Sequence, residues 1–256
     1  LDNVDSENDN LAIGYAALGG SIAGGEFNVA IGNYSLDALT SGDENTAVGY
    51  NTLTANTTAS KITAVGFEAL KSNTDGAANL GVGAAALYSN TTGDYNVSIG
   101  ESSLDANTTA GYSTAVGYDA LTNSNRTSEI YAYNTAIGYK AGDVLTTGDK
   151  NILIGSSTDP SANSGSNQIV IGHDATGLAD NYAVIGNADI TRLYAAQDGA
   201  ALIYGGNHVQ PSDRRIKKEI NDLAYGLSFV KRLRPVSYYK LNPQDYPQEL
   251  KDKFYP

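Results

Sequence analysis

Cysteine, methionine and tryptophan are all missing from the 256 residues. Without cysteine there is no disulfide framework, no thiolate metal site and no thiol nucleophile, and the redox compartment cannot be read. His173 and His208 are the only imidazoles, which excludes multi-histidine metal centres and leaves a Ser-His-Asp triad little room. No stretch approaches the roughly 18 consecutive apolar residues of a membrane helix, and no charged-then-apolar leader opens the chain. The chain starts at Leu1, so we expect a fragment of something longer. Proline numbers only 6 against 28 glycines, and Asn, Thr, Ser and Asp fill much of the rest. That mixture suits many short strands joined by tight turns. Basic residues are also scarce, 16 against 28 acidic, for a net charge of −12. The deficit is uneven: residues 1–211 hold 6 Lys+Arg and 22 Asp+Glu, whereas 212–256 hold 10 and 6. Such a step marks a boundary near Pro211. An acidic body argues against a nucleic-acid partner, because phosphate contacts need clustered Lys and Arg.

What the chain does have is a repeat. A glycine follows Val or Ile at Gly14, Gly32, Gly49, Gly66, Gly83, Gly100, Gly117, Gly138, Gly155, Gly172 and Gly186. The dominant spacing is 17, with 18 at the start, one 21 and a final 14. Two before the glycine sits a small residue in eight copies, as in Ala12, Ala47, Gly81 and Ser98, with Leu153 and Val170 in later ones. Four before it is usually Asn, and four after it is Leu in the first seven copies, from Leu18 to Leu121. One unit therefore reads as a strand of about five residues, a Gly turn, a Leu-anchored segment and a polar turn such as Thr91-Thr92-Gly93-Asp94. A turn every 17 residues excludes long helices. Apolar or small residues at consecutive positions predict a strand buried on both faces. Repeated in register, such strands make a parallel β-solenoid of about eleven rungs, roughly 50 Å long at about 4.8 Å per rung. We expect Val and Ile ladders to fill its inside, and the small-residue face to pack against partner chains. The Asn column is expected to form a hydrogen-bonded ladder closing each turn.

These units, quoted as Asn45 to Leu53, Ser113 to Leu121 and Asn134 to Ala141, resemble the head repeats of trimeric autotransporter adhesins and, more closely, the arrays of phage tail-fibre-like proteins. The resemblance spans about residues 8–190. It implies a left-handed β-roll with three chains side by side, hence a homotrimer whose partners are its own copies.

From Ser212 the pattern changes. Ile216, Ile220, Leu223, Leu227, Val230 and Leu233 recur at helical steps, predicting a helix over about 213–234 that Ser212 or Asp213 caps and Pro235 ends. Val236 to Leu241 then reads as a strand. The chain thus divides into a repetitive shaft or head, 1–190, a connector, 191–211, and a C-terminal α+β piece, 212–256. The run from Ser212 to Ile220, followed by Leu233 to Tyr238, resembles the intramolecular chaperone domain of endosialidases and other phage fibres. That family trimerises the preceding β-structure and then cuts itself off. The resemblance implies Ser212 as nucleophile, Lys217 as base and the Pro211-Ser212 bond as the cleavage point, a single-turnover reaction rather than a turnover enzyme.

Other candidates have competing readings. Tyr15, Tyr50, Phe67, Tyr118 and Tyr139 directly follow repeat glycines; stacked, they form a partial ladder suited to sugar rings, or simply cap the core edge and stiffen the stack. Asp43, Asp94 and Asp149 follow turn glycines; turn chemistry explains them better than Ca²⁺ ligation, so no metal and no cofactor is expected. His173 reads as a rung residue, and His208 as a solvated loop residue. No acid/base carboxylate pair stands out for glycoside hydrolysis. The sequence thus points to a structural and adhesive fibre segment on a virion, an injection system or a cell surface, with a host glycan or receptor as a further partner. A bacterial surface adhesin or extracellular filament with the same repeats is the alternative.

Overall fold

The computed structural model of the chain describes residues 9–127 and 131–193. By its contacts the chain divides into two units, Leu1–Leu193 and Tyr194–Pro256. The first is a parallel β-solenoid. Its eleven strands are β1 (Leu11–Ile13), β2 (Val29–Ile31), β3 (Thr46–Val48), β4 (Thr63–Val65), β5 (Leu80–Val82), β6 (Val97–Ile99), β7 (Thr114–Val116), β8 (Thr135–Ile137), β9 (Ile152–Ile154), β10 (Ile169–Ile171) and β11 (Ala183–Ile185). They pair in chain order in one all-parallel sheet. Equivalent residues lie opposite one another, as Ala47 does Ala30 and Ala64. No helix occurs among the described residues. The predicted helix at 213–234 lies outside them.

Each strand is three residues long, shorter than the five expected, and both ends have a local cause. At its start the Asn takes over from the ladder: Asn45 N–H donates to the Asn28 side-chain oxygen at 3.0 Å rather than to a carbonyl. The Asn45 side-chain nitrogen in turn donates to the Ala59 carbonyl at 2.9 Å. Asn10, Asn28, Asn79, Asn96, Asn134 and Asn151 repeat one or both of these bonds. The expected Asn ladder is therefore present, and it satisfies amides that would otherwise be buried and unpaired. At the strand's end the glycine turns the chain with φ of +129° to +146° from Gly32 to Gly172, a region closed to residues with a Cβ. A Cβ on Gly32 would also land on the carbonyl oxygen of Gly49 in the next rung.

The inside and outside of the sheet are the reverse of the expectation. Ala30, Ala47, Ala64, Ala115 and Ala136 point inward and are fully buried, while Val and Ile beside them point outward. The reason is the opposite wall. The Leu four after each glycine, from Leu18 to Leu121, fills the interior at no more than 2% exposure, and it leaves the sheet side little depth. A Cβ on Gly81 would already meet Leu70 Cδ1 at 2.9 Å. A branched side chain has no room there.

The exceptions prove complementary. Where β9 and β10 carry Leu153 and Val170 inward, the opposite positions of the preceding rungs are Gly142 and Asp159 instead of Leu. A Cβ on Gly142 would lie 2.7 Å from Leu153 Cδ1 and 2.9 Å from Leu121 Cδ2. Volume thus passes from one wall to the other while the thin core stays filled.

The remaining arc of each rung is held by an unusual backbone. Three positions per regular rung, illustrated by Glu44, Asn51 and Leu53, take left-handed φ of 58°, 54° and 53° without being glycine. Each such residue costs about 1–2 kcal/mol in isolation. Here each aims its N–H along the axis at a neighbouring rung: Glu44 to Glu26 O at 3.0 Å, Asn51 to Asn33 O at 3.0 Å and Leu53 to Ala69 O at 3.2 Å. Bonds in both axial directions offset that cost.

Candidate functional site

Side chains alternate across a strand, and the residues that flank the three ladder positions are placed by their exposure. The inward set is Asn, small residue, glycine. The outward set is the fifth, third and first residue before the glycine and the residue after it. This outer face is the candidate site. Its two central columns are apolar or Thr, running Leu11, Val29, Thr46, Thr63, Leu80, Val97, Thr114, Thr135, Ile152 and Ile169 on one side. On the other side every member is Val or Ile, from Ile13 to Ile185. Stacking within a column covers part of each side chain, yet Leu11, Ile99, Ile137 and Ile169 remain exposed.

The two margins are richer in aromatic rings. After the glycine, the predicted residues Tyr15, Tyr50, Phe67, Tyr118 and Tyr139 all lie on the surface, with exposures from 44% for Tyr118 to 70% for Tyr15. They form two groups rather than one ladder. Tyr34, one position further along its rung, bridges Tyr15 and Tyr50 with ring centroids 5.4 Å and 6.0 Å away, and Tyr50 stacks on Phe67 at 5.6 Å. Tyr118 stacks on Tyr139 at 5.5 Å. Ala84 and Glu101 separate the groups. Sequence reading missed the second margin, before the strand, where Phe27, Tyr95, Tyr112 and Tyr133 are exposed. Tyr112 stacks on Tyr95 at 4.9 Å and meets Tyr131 at 5.0 Å and Tyr133 at 5.5 Å. Their signal was available in the repeat itself: the fifth residue before the glycine is aromatic in four copies, Phe27, Tyr95, Tyr112 and Tyr133.

Four of the six described lysines and arginines, Lys71, Arg126, Lys140 and Lys150, pair with carboxylates. Lys71 Nζ bonds Glu68 Oε1 at 2.7 Å, which lowers the Glu68 carboxyl and raises the Lys71 ammonium. Arg126 lies 3.5 Å from Asp149, which Lys150 also approaches at 3.1 Å. The turn aspartates are occupied by the fold: Asp43 accepts from Glu26 N–H at 2.9 Å and Asp94 from Ala77 N–H at 2.7 Å, each joining two rungs. The His173 side chain lies beyond β10 with its Nδ1 3.1 Å from Asp174 Oδ2, and it is 70% exposed. Burial raises two carboxyls, Asp105 and, further, Asp159. Asp159 occupies the wall position of the missing Leu, and burial, reinforced by the charge of Asp143, pushes its pKa up to about 6.

Ser212, Lys217, the Pro211-Ser212 bond and His208 lie outside the described residues. Residues 212–252 match a protein family described as the chaperone of endosialidase. The match opens on Ser212 and includes Lys217. Comparison with curated proteins and with solved structures finds no match.

Proposed function

We propose that this chain is a structural segment of a homotrimeric fibre, a phage tail fibre or a similar virion or injection-system appendage, made with a C-terminal trimerisation chaperone. The observation that carries this reading is the order of parts: an eleven-strand parallel solenoid followed by a segment that matches the endosialidase chaperone family. The outer sheet face supplies the physical need for copies. It spans roughly 50 Å along the axis and about 20 Å across the strands, on the order of 1,000 Å². Stable interfaces take about 800 Å² from each partner. In this reading the Val and Ile columns, not the Ala column, face the neighbours.

The chaperone piece acts once in cis: Lys217 takes the Ser212 hydroxyl proton, Ser212 Oγ attacks the Pro211 carbonyl carbon, the Pro211–Ser212 amide C–N bond breaks as the amine takes up that proton, and water then hydrolyses the resulting ester to a Pro211 carboxylate and a C-terminal segment with a free Ser212 hydroxyl and amine. An adhesive role for the exposed tyrosines toward a cell-surface glycan is compatible with their exposure, as is a bacterial surface adhesin carrying the same repeats. The test is intact mass and sedimentation of full-length protein beside Ser212→Ala. Wild type releasing a fragment that ends at Pro211, with Ser212→Ala intact, is expected. Two intact species would defeat self-cleavage, and a monomer in both would defeat the fibre itself.

A further inference from the structure

The column five residues before the glycine repeats one backbone conformation: Lys61, Ala78, Tyr95, Tyr112 and Tyr133 all take left-handed φ, from 52° to 64°. Consecutive members sit on consecutive rungs, since the N–H of Ala78 donates to Ser60 O and that of Tyr95 to Ala77 O, each at 3.1 Å. Their side chains therefore leave the coil in a common direction, one above another at about 4.8 Å. From Tyr95 onward this column is filled by rings, as Tyr112 stacks on Tyr95 at 4.9 Å and meets Tyr133 at 5.5 Å. One rung earlier, on the rung of β5, it holds only the methyl group of Ala78, and Ala77 beside it is equally small.

The missing side chain leaves a notch whose walls stand two rungs, about 9.6 Å, apart from centre to centre. One wall is the free face of Tyr95, which is 55% exposed, against 41% for Tyr112 with a ring on either side. The other wall is Lys61, which is exposed and, among the described residues, joins no ion pair and lies over no ring. A carboxylate borders the notch on the side of the preceding turn. Asp94 reaches back to the rung of β5, where its Oδ1 accepts the Ala77 N–H at 2.7 Å, leaving Oδ2 for a ligand.

A six-membered ring over Ala78 would lie one rung spacing from Tyr95, as Tyr112 does on the opposite face. The groups around it select a pyranose. Its apolar C–H face suits the Tyr95 ring, while its rim hydroxyls accept from the Lys61 ammonium and donate to the Asp94 carboxylate. A purely apolar ring would cover both charges without pairing them. A polyanionic chain would meet Asp94 and a body that carries 22 Asp+Glu against 6 Lys+Arg over residues 1–211.

We infer that the notch over Ala78, between the Tyr95 ring and Lys61, binds a neutral hexopyranose unit of a cell-surface polysaccharide. The inference rests on the adhesive role and adds its place and its chemistry. The site belongs to the margin before the strand, not to the tyrosine column after the glycine.

The test is a saturation-transfer difference NMR titration of the full-length protein with the methyl pyranosides of glucose, galactose, mannose and N-acetylglucosamine. Ala78→Tyr fills the notch with the protein's own ring, in the backbone conformation that Tyr95 and Tyr112 already adopt. Wild type is expected to bind at least one of the four saturably, and Ala78→Tyr and Tyr95→Ala to weaken that binding about fivefold or more. Ala84→Tyr, which adds a ring to the same rung on the other margin, should leave it unchanged. Binding retained in Ala78→Tyr, or lost in Ala84→Tyr alone, overturns the notch as the site while the adhesive role stands. An Ala78→Tyr variant that sediments at lower mass than wild type gives the notch to a neighbouring copy and overturns the sugar. Wild type that binds none of the four overturns the site and the adhesive role together.

Discussion

The exchange of volume between Leu153 and Gly142 makes a quantitative prediction. Leu153 is fully buried, so Leu153→Ala removes a core side chain opposite a glycine that cannot fill the gap, at a cost of about 3 kcal/mol. Gly142→Leu places a Cβ 2.7 Å from Leu153 Cδ1 and 2.9 Å from Leu121 Cδ2. Overpacking of that order costs about 1–3 kcal/mol. The left-handed φ of 67° at Gly142 adds about 1 kcal/mol for a residue with a Cβ. Taken independently the two changes sum to about 5–7 kcal/mol. Together, however, they rebuild the pairing of the regular rungs, in which Leu at this left-handed position packs on Ala. The double variant is expected to lose only about 1–2 kcal/mol, a favourable coupling of about 3–6 kcal/mol. Urea unfolding followed by far-ultraviolet circular dichroism, with all four proteins at one chain concentration, measures the cycle. Coupling below about 0.5 kcal/mol would refute the argument that each inner position is sized by the Leu of the preceding rung.

Two further perturbations test the wall and the turn. The Asp159 carboxyl is raised from 3.8 to about 6, so the folded chain holds that proton more tightly than the unfolded one. Its contribution is complete below about pH 4 and lost as pH rises through about 6, a difference of at most about 3 kcal/mol and about 1–2 after allowing for partial exposure. Asp159→Asn should therefore leave melting unchanged near pH 4 and raise the melting temperature increasingly toward pH 7; a flat difference across that range would count against the raised carboxyl. Gly100→Ala meets both a φ of +137° and the carbonyl oxygen of Gly117, and should cost about 2–4 kcal/mol. Hydrogen exchange should show the rungs holding β6 and β7 losing protection, and full protection there would contradict the close approach.

The fold could be read from the glycines because a residue confined to one backbone conformation and one close contact cannot drift, and the Asn and Leu columns fixed the same period. Which side of the strand faced inward could not be read from apolar character. Val48 and Ala47 are both compatible with a core, and only the proximity of the opposite Leu column decides that the smaller one goes inside. The parity of Asn45 held the answer, since Asn45 shares a face with Ala47 and its amide bonds run between rungs. Aligning the fifth residue before each glycine would also have picked out Tyr95, Tyr112 and Tyr133 as a second aromatic column. The predicted tyrosines came out at the surface, but Ala84 and Glu101 split their column, as the sequence already allowed.

The axial direction of the hydrogen bonds has a mechanical consequence. The ladder bonds and many of the Asn and turn bonds join one rung to the next, so tension along the solenoid falls on them in line, and the bonds of a single rung carry the whole load before any other yields. Such a coil peels from an end instead of shearing as a block. Each rung that lets go turns about 4.8 Å of fibre into a strand of up to about 60 Å for its 17 residues. The chain would thus unwind like a coiled cord under a pull.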